Sequence, residues 1–134
     1  MALVAASKPG MELETRTKQF ALRVIRLCST VGQAGPGGVL SRQLLRSGTS
    51  VGAQYREARR ARSKAEFLSK LQSATQELSE SVYWLELLGE SGLMSQTKLA
   101  ALHAEAVELL KIFMASRVTA QHGKSPTSVT RSSL

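Results

Sequence analysis

Apolar residues recur every three or four positions in four segments of the chain, the spacing that places them on one face of an α-helix. This pattern predicts helices over about residues 11–31, 39–62, 63–89 and 95–117. No segment alternates apolar and polar residues as a half-buried strand would. The predicted core residues, in chain order, are Leu13, Phe20, Val24, Leu27 (or Cys28), Val31, Leu44, Gly48, Val51, Tyr55, Ala58, Phe67, Leu71, Ala74, Leu78, Val82, Leu85, Leu88, Leu99, Leu102, Ala106, Leu109 and Phe113.

The breaks between these segments carry the residues that end and begin helices. Residues 32–38 (GQAGPGG) form a predicted loop, and Gly89 and Gly92 end the third helix. Ser63 and Glu66 have the spacing of a capping box, which places a sharp break before the third helix. Short connections favour antiparallel neighbours, so we predict an all-α, antiparallel up-down four-helix bundle that forms a single domain.

The two ends of the chain differ from the periodic segments in composition. We predict that residues 1–10 form a flexible N-terminus. Residues 118–134 are rich in Ser, Thr, Gly and Lys, and we predict a disordered tail there.

Two glycines, Gly48 and Gly52, lie four residues apart inside the second predicted helix. Both lower the helix propensity of that segment. Their spacing leaves a smooth groove in which another helix can approach closely, so we predict a packing role. A phosphate-cradling loop is disfavoured, because it needs its glycines before a helix and not within one.

The composition limits the classes of protein to which the chain can belong. Its 134 residues include a single cysteine, Cys28, so an intramolecular disulfide and zinc sites built from cysteine pairs are excluded. We expect Cys28 to be a buried small hydrophobe. No apolar run approaches the length needed to cross a bilayer, so we expect no membrane partner and a cytoplasmic location.

The sequence contains no recognisable catalytic or metal-binding constellation. Di-iron bundles need Glu-x-x-His on two helices, but Ala100 precedes His103 at that spacing and Thr119 precedes His122. No nucleophile motif and no nucleotide-binding fingerprint is present. We therefore predict that the protein is not an enzyme, and that it has no cofactor and no metal ion.

Charge is distributed unevenly along the chain, which has a formal net charge of +8. Residues 39–64 contain seven basic residues and one acid, Glu57, for a net charge of +6. Residues 65–92 contain one base, Lys70, and five glutamates, for a net charge of −4. A basic surface of this kind favours an anionic partner.

The basic residues of the second segment share one side of a helix. At 100° per residue, a single face carries Arg42, Arg46, Arg56, Arg60 and Lys64, opposite the apolar stripe. With the neighbouring Arg59, they are the predicted nucleic-acid-binding residues. Such a face can bind the phosphates of RNA or DNA. It can equally form ion pairs with the acidic third helix or with another subunit, in which case the protein is an assembly or adaptor module.

The end of the third predicted helix, residues 83–88 (YWLELL), is apolar on nearly all sides. Its core stripe faces one way, while Tyr83 and Leu87 point the other way and Trp84 lies at the flank. A helix that is apolar on two sides needs two partners. We therefore predict that Tyr83, Trp84 and Leu87 form a contact with a second copy of the chain.

Four segments together resemble one bacterial family. They are Leu45–Ala53 (LRSGTSVGA), Tyr55–Ala58 (YREA), Ser63–Phe67 (SKAEF) and Tyr83–Leu88 (YWLELL), in this order. In these segments the chain resembles the four helix bundle protein family, also called the 23S rRNA intervening-sequence protein family. The resemblance runs from the first helix to about Arg117, with Gln54 where the family usually has Asn.

The resemblance implies properties that the residues alone do not establish. It implies assembly as a barrel-shaped homopentamer. Accessory proteins of diversity-generating retroelements, which are related to the family, bind nucleic acid through a basic surface and associate with a reverse transcriptase. The resemblance therefore implies nucleic acid, a reverse transcriptase and further copies of the chain as partners.

Overall fold

The computed structural model describes residues 9–123, and these residues form four α-helices without a strand among them. The helices are α1 (Pro9–Cys28), α2 (Gly35–Arg59), α3 (Lys64–Glu90) and α4 (Gln96–Gln121). The predicted fold class, a four-helix bundle, is confirmed.

Consecutive helices run in opposite directions. Glu14, near the start of α1, pairs with Arg59 at the end of α2, whereas Cys28 at the end of α1 contacts Ser41 near the start of α2. Among the neighbouring pairs, α2 and α3 contact each other most extensively and α1 and α4 least. The apolar stripes meet in one core that runs along the bundle.

Several of the predicted boundaries were wrong, among them the end of α2, which is Arg59 instead of about residue 62. The connection between α1 and α2 is residues 29–34 instead of the predicted 32–38, because α1 ends at Cys28 and α2 begins at Gly35 and includes Pro36 in its first turn. Proline fits there, since the first N–H groups of a helix have no intrahelical partner. The chain also remains helical to Gln121, and Ala120 is buried, so the predicted tail does not begin at residue 118.

Parts of the predicted termini lie outside the described residues. Pro9 and Gly10, which were assigned to the flexible N-terminus, belong to α1. The remainder of that segment, residues 1–8, lies outside the described residues, as does the tail beyond Gly123.

The start of α3 carries the predicted serine cap. Ser63 has an extended backbone and its Oγ accepts a hydrogen bond from the Glu66 N–H at 3.0 Å. The Glu66 carboxylate accepts the N–H of Arg62 at 2.8 Å. In a standard capping box the glutamate accepts the N–H of the cap residue, but here it accepts the N–H of the residue before the cap. This hydrogen bond stabilises the turn between α2 and α3.

The predicted close approach at the glycines of α2 is confirmed, and α1 is the helix that approaches. A Cβ atom on Gly48 would lie 2.9 Å from Val24 Cγ2, and one on Gly52 would lie 3.2 Å from Thr17 Oγ1. Val24 and Thr17 are both fully buried. The missing side chains therefore let α1 lie directly against the backbone of α2.

The core of α3 differs from the prediction at one position. Val82 was assigned to the apolar stripe but is only partly buried, and the neighbouring Ser81 is fully buried instead. Its hydroxyl lies 2.8 Å from that of Ser47 on α2 and donates to the Glu77 carbonyl at 2.9 Å. Because these buried hydroxyls are hydrogen-bonded, two small polar side chains can occupy the α2–α3 contact.

One aromatic contact crosses the core between α2 and α4. The rings of Tyr55 and Phe113 stack with their centroids 5.4 Å apart. Tyr55 is 5% exposed, and burial raises the pKa of its hydroxyl from its ordinary value to about 12. The hydroxyl therefore stays protonated in the folded protein at pH values where an exposed tyrosine ionises.

We expect the substitution Gly48→Ala to destabilise the fold, although alanine has the higher helix propensity by about 1 kcal/mol. The added methyl group contacts Val24, whose branched side chain is fixed by its rotamer and cannot move away cheaply. Overpacking of this kind costs about 1 to 3 kcal/mol. Chemical denaturation measures the loss. In a Val24→Ala background the same change should become neutral or stabilising, and an equal loss in both backgrounds would contradict the contact.

We expect the free energy of unfolding to fall as the pH rises from about 10 to 12. The folded pKa of Tyr55 is raised, so above pH 10 the unfolded state loses this proton first and becomes relatively more stable. The loss should reach about 2 kcal/mol. The matched variant Tyr55→Phe keeps the ring stack but does not titrate. Denaturation curves of this variant should therefore show a smaller loss over that range; an identical loss would rule out Tyr55 as the cause.

Candidate nucleic-acid interface

The predicted basic residues do not all lie on one helix. Arg42, Arg46, Arg56 and Arg59 belong to α2, but α2 ends at Arg59. Arg60 caps its end. Lys64 is the first residue of α3. The prediction that these residues share one face of α2 was therefore wrong for Arg60 and Lys64. Arg60 follows the last residue of α2, and Lys64 belongs to α3.

Arg46 is held by the acidic helix α3. Its guanidinium pairs with Glu77 at 3.1 Å and also with Glu80. The hydrogen bond to Glu80 raises the pKa of Arg46 most, and the hydrogen bond to Glu77 raises it further. A guanidinium that is shared by two carboxylates has fewer free N–H donors for a phosphate.

Arg56 and Arg59 are directed toward α1. Arg59 pairs with Glu14 at 2.8 Å, and the Nε atom of Arg56 lies 3.7 Å from the same carboxylate. These pairs and the Arg46 pairs join neighbouring helices within one chain. At these three arginines the structure therefore has the ion pairs that were the alternative to phosphate binding, and their carboxylate partners lie on the same chain.

Three basic residues around the turn between α2 and α3 form no ion pair among residues 9–123. They are Arg60, Arg62 and Lys64, and we call them the basic turn. Arg60 and Arg62 are exposed and Lys64 is half-buried. Arg62 was missing from the predicted site, although the run RRARSK at residues 59–64 indicates it directly.

Arg42 lies near the other end of α2 and is also exposed. One of its guanidinium nitrogens donates to the Gln33 carbonyl at 3.1 Å. In the described part of the chain no carboxylate pairs with it. Its remaining donors are therefore available to an anion.

The predicted self-association residues lie at the C-terminal end of α3. Tyr83 is 54% exposed, while Trp84 and Leu87 are partly buried. The two aromatic rings meet edge to face at a centroid distance of 5.2 Å. The Nε1 atom of Trp84 is buried and has no hydrogen-bond partner within the described range.

Other polar chemistry in the described chain is sparse. His103 and Glu86 form a pair at 2.9 Å between α4 and α3. Cys28 is partly buried, donates to the Ser41 carbonyl, and has its pKa raised by burial.

Over residues 9–123 there is no group of three His, Cys, Asp or Glu side chains that could hold a metal ion. None of the four described helices is long and apolar enough to cross a membrane.

Comparison with known proteins places this arrangement in a family. Residues 11–115 match the family model described as 23S rRNA-intervening sequence protein. The chain is similar to a solved structure of a protein with unknown function from the S23 ribosomal protein family of Bacteroides thetaiotaomicron. The two share 33% sequence identity with a TM-score of 0.74, over 78% of this chain and 97% of the other. No curated protein matches the chain.

Proposed function

The chain belongs to the 23S rRNA-intervening sequence protein family, and we propose that it is a non-catalytic protein that binds the backbone of RNA or DNA. One observation carries this proposal. Fifteen lysines and arginines lie within residues 9–123, and only five of them form ion pairs there, which leaves ten unpaired. An excess of unpaired cations favours a polyanionic partner.

The placement of these cations supports binding along the bundle. The basic turn lies at one end of α2 and Arg42 lies toward the other end. At about 1.5 Å per residue, Arg42 and the end of α2 are roughly 26 Å apart. That separation allows one nucleic-acid segment to contact both groups through different phosphates.

The character of the surface favours backbone contacts over base recognition. The one aromatic residue between Arg42 and the basic turn is Tyr55, which is buried in the core against Phe113. Base stacking on aromatic rings therefore does not contribute there. Binding should depend strongly on salt and weakly on sequence.

We expect wild-type protein to bind RNA or DNA with an affinity that falls steeply with salt. Changing Arg60, Arg62 and Lys64 of the basic turn to Gln removes three unpaired cations. This variant should reduce the slope of log affinity against log salt by about 2 to 3, since each phosphate contact contributes about 0.7 to 0.9. Fluorescence anisotropy with a labelled oligonucleotide measures the slope.

The matched control changes Arg46, Arg56 and Arg59 to Gln, which removes the same charge from paired positions. Its slope should change by less than about 1. The proposal fails if wild-type protein shows no salt-dependent binding. It also fails if the two variants lose affinity equally, because the lower net positive charge of the protein would then explain the loss wherever the charge is removed.

A second candidate function is self-assembly, and the unpartnered Trp84 Nε1 is the observation that favours it. Three of the predicted intersubunit arginines are engaged within the chain. The contact between copies would therefore use the apolar end of α3. Tyr83 and Leu87 add apolar surface beside Trp84. A second copy could cover this surface and accept a hydrogen bond from the indole.

We expect the wild-type protein to have a solution mass that is a multiple of its 14.5 kDa chain mass. Tyr83→Glu places a charge in the proposed contact and should weaken association at least about thirtyfold, as for an interface hot spot of about 2 kcal/mol. Light scattering after gel filtration measures the mass. The control is Met114→Glu, at a similarly exposed position on α4, and it should leave the solution mass unchanged. A monomeric wild-type protein would refute this candidate.

A further inference from the structure

A cleft of about 270 Å³ lies between the end of α1 and the start of α4. Three cations line it: Arg23 and Arg26 from α1, and Lys98 from α4. Its apolar lining comes from Leu27 and Leu102. None of these residues belongs to the surface predicted from α2.

Ion pairs cross the contacts of α1 with α2 and of α2 with α3, whereas the residues that line this cleft include three cations and no acid. Farther along the same pair of helices, Arg16 and Glu105 form an ion pair at 2.8 Å. Arg23, Arg26 and Lys98 have no carboxylate partner in the described structure. An anion bound in the cleft would therefore neutralise cations that no described carboxylate neutralises.

Of the three cations in the cleft, Lys98 has the least favourable position in its own helix. It lies in the first turn of α4, where no acidic residue is present. The N-terminal end of a helix carries partial positive charge, so a lysine there is unfavourable. Arg26 in the last turn of α1 is favourable by the same rule. Lys98 is thus placed against the helix dipole and beside two other cations.

The donors in the cleft are suited to a phosphate group. Neither Arg23 nor Arg26 has a side-chain hydrogen bond to any part of the chain between residues 9 and 123. A guanidinium can bind two phosphate oxygens at once.

We propose that the cleft between α1 and α4, lined by Arg23, Arg26 and Lys98, binds a phosphate group. The inference rests on the proposed function, because it takes the nucleic-acid backbone as the source of that phosphate. Free inorganic phosphate is the other source of the same chemistry. The experiment below separates the two.

The test compares two variants that lose the same charge. The cleft variant is Arg23→Gln, Arg26→Gln, Lys98→Gln. The control variant is Lys18→Gln, Lys111→Gln, Arg117→Gln, at exposed positions without ion pairs among the described residues. Thermal unfolding shows first that both variants fold.

The first measurement is the salt dependence of binding to a labelled RNA oligonucleotide and to a DNA duplex. The cleft variant should lower the slope of log affinity against log salt by about 2 to 3, and the control variant by less than about 1. The second measurement is the melting temperature in inorganic phosphate against chloride at equal ionic strength. Phosphate should raise it for wild type and for the control variant but not for the cleft variant.

The outcomes separate the two proposals. Wild-type binding that both variants retain equally, with equal phosphate shifts, overturns the cleft and leaves the proposed function standing. A selective phosphate shift without any nucleic-acid binding supports the cleft as a site for free phosphate and overturns the proposed function. A loss of binding confined to the cleft variant supports the cleft with nucleic acid as its source of phosphate.

Discussion

The close approach of α1 to α2 is the constraint on which the rest of the structure depends. Gly48 and Gly52 leave no side chain between the two helices, so Val24 and Thr17 rest on the backbone of α2. Because α1 lies this close along α2, Glu14 can reach Arg59 at the end of the contact. The same placement turns another side of α1 toward α4, where Arg16 meets Glu105. The pairing of charges and the cleft at the end of α1 both follow from this packing.

Much of the fold could be predicted because burial repeats with the helical period. The apolar stripes and the glycine groove are local features of the sequence, and the structure contains them. Ser81 could not be predicted in the same way, because it faces Ser47 on α2, and the spacing of residues within α3 does not show which residue lies opposite. The start of α2 was missed because Pro36 and its neighbouring glycines are as typical of a loop as of a first helical turn.

The candidate site was less predictable than the fold because it depends on contacts between helices. Helical spacing places Arg42, Arg46 and Arg56 on one side of α2, but it does not say which of them a carboxylate can reach. That depends on the register of α2 against α1 and α3. In this register Arg46 meets two glutamates of α3, whereas Arg42 meets none within residues 9–123. The sequence therefore predicts a basic region, and only the packing separates its paired and unpaired members.

The distribution of the acids explains why most cations of α1 and the first of α2 remain unpaired. No acidic residue occurs between Thr15 and Arg56, a stretch that contains most of α1 and α2. The carboxylates that neutralise it must come from other segments, and they reach it only where helices touch, as Glu105 reaches Arg16. Like charges grouped together beside α4 do not stabilise the fold. The unpaired cations there and at the basic turn are the physical basis of our proposal that these two surfaces bind an anionic partner.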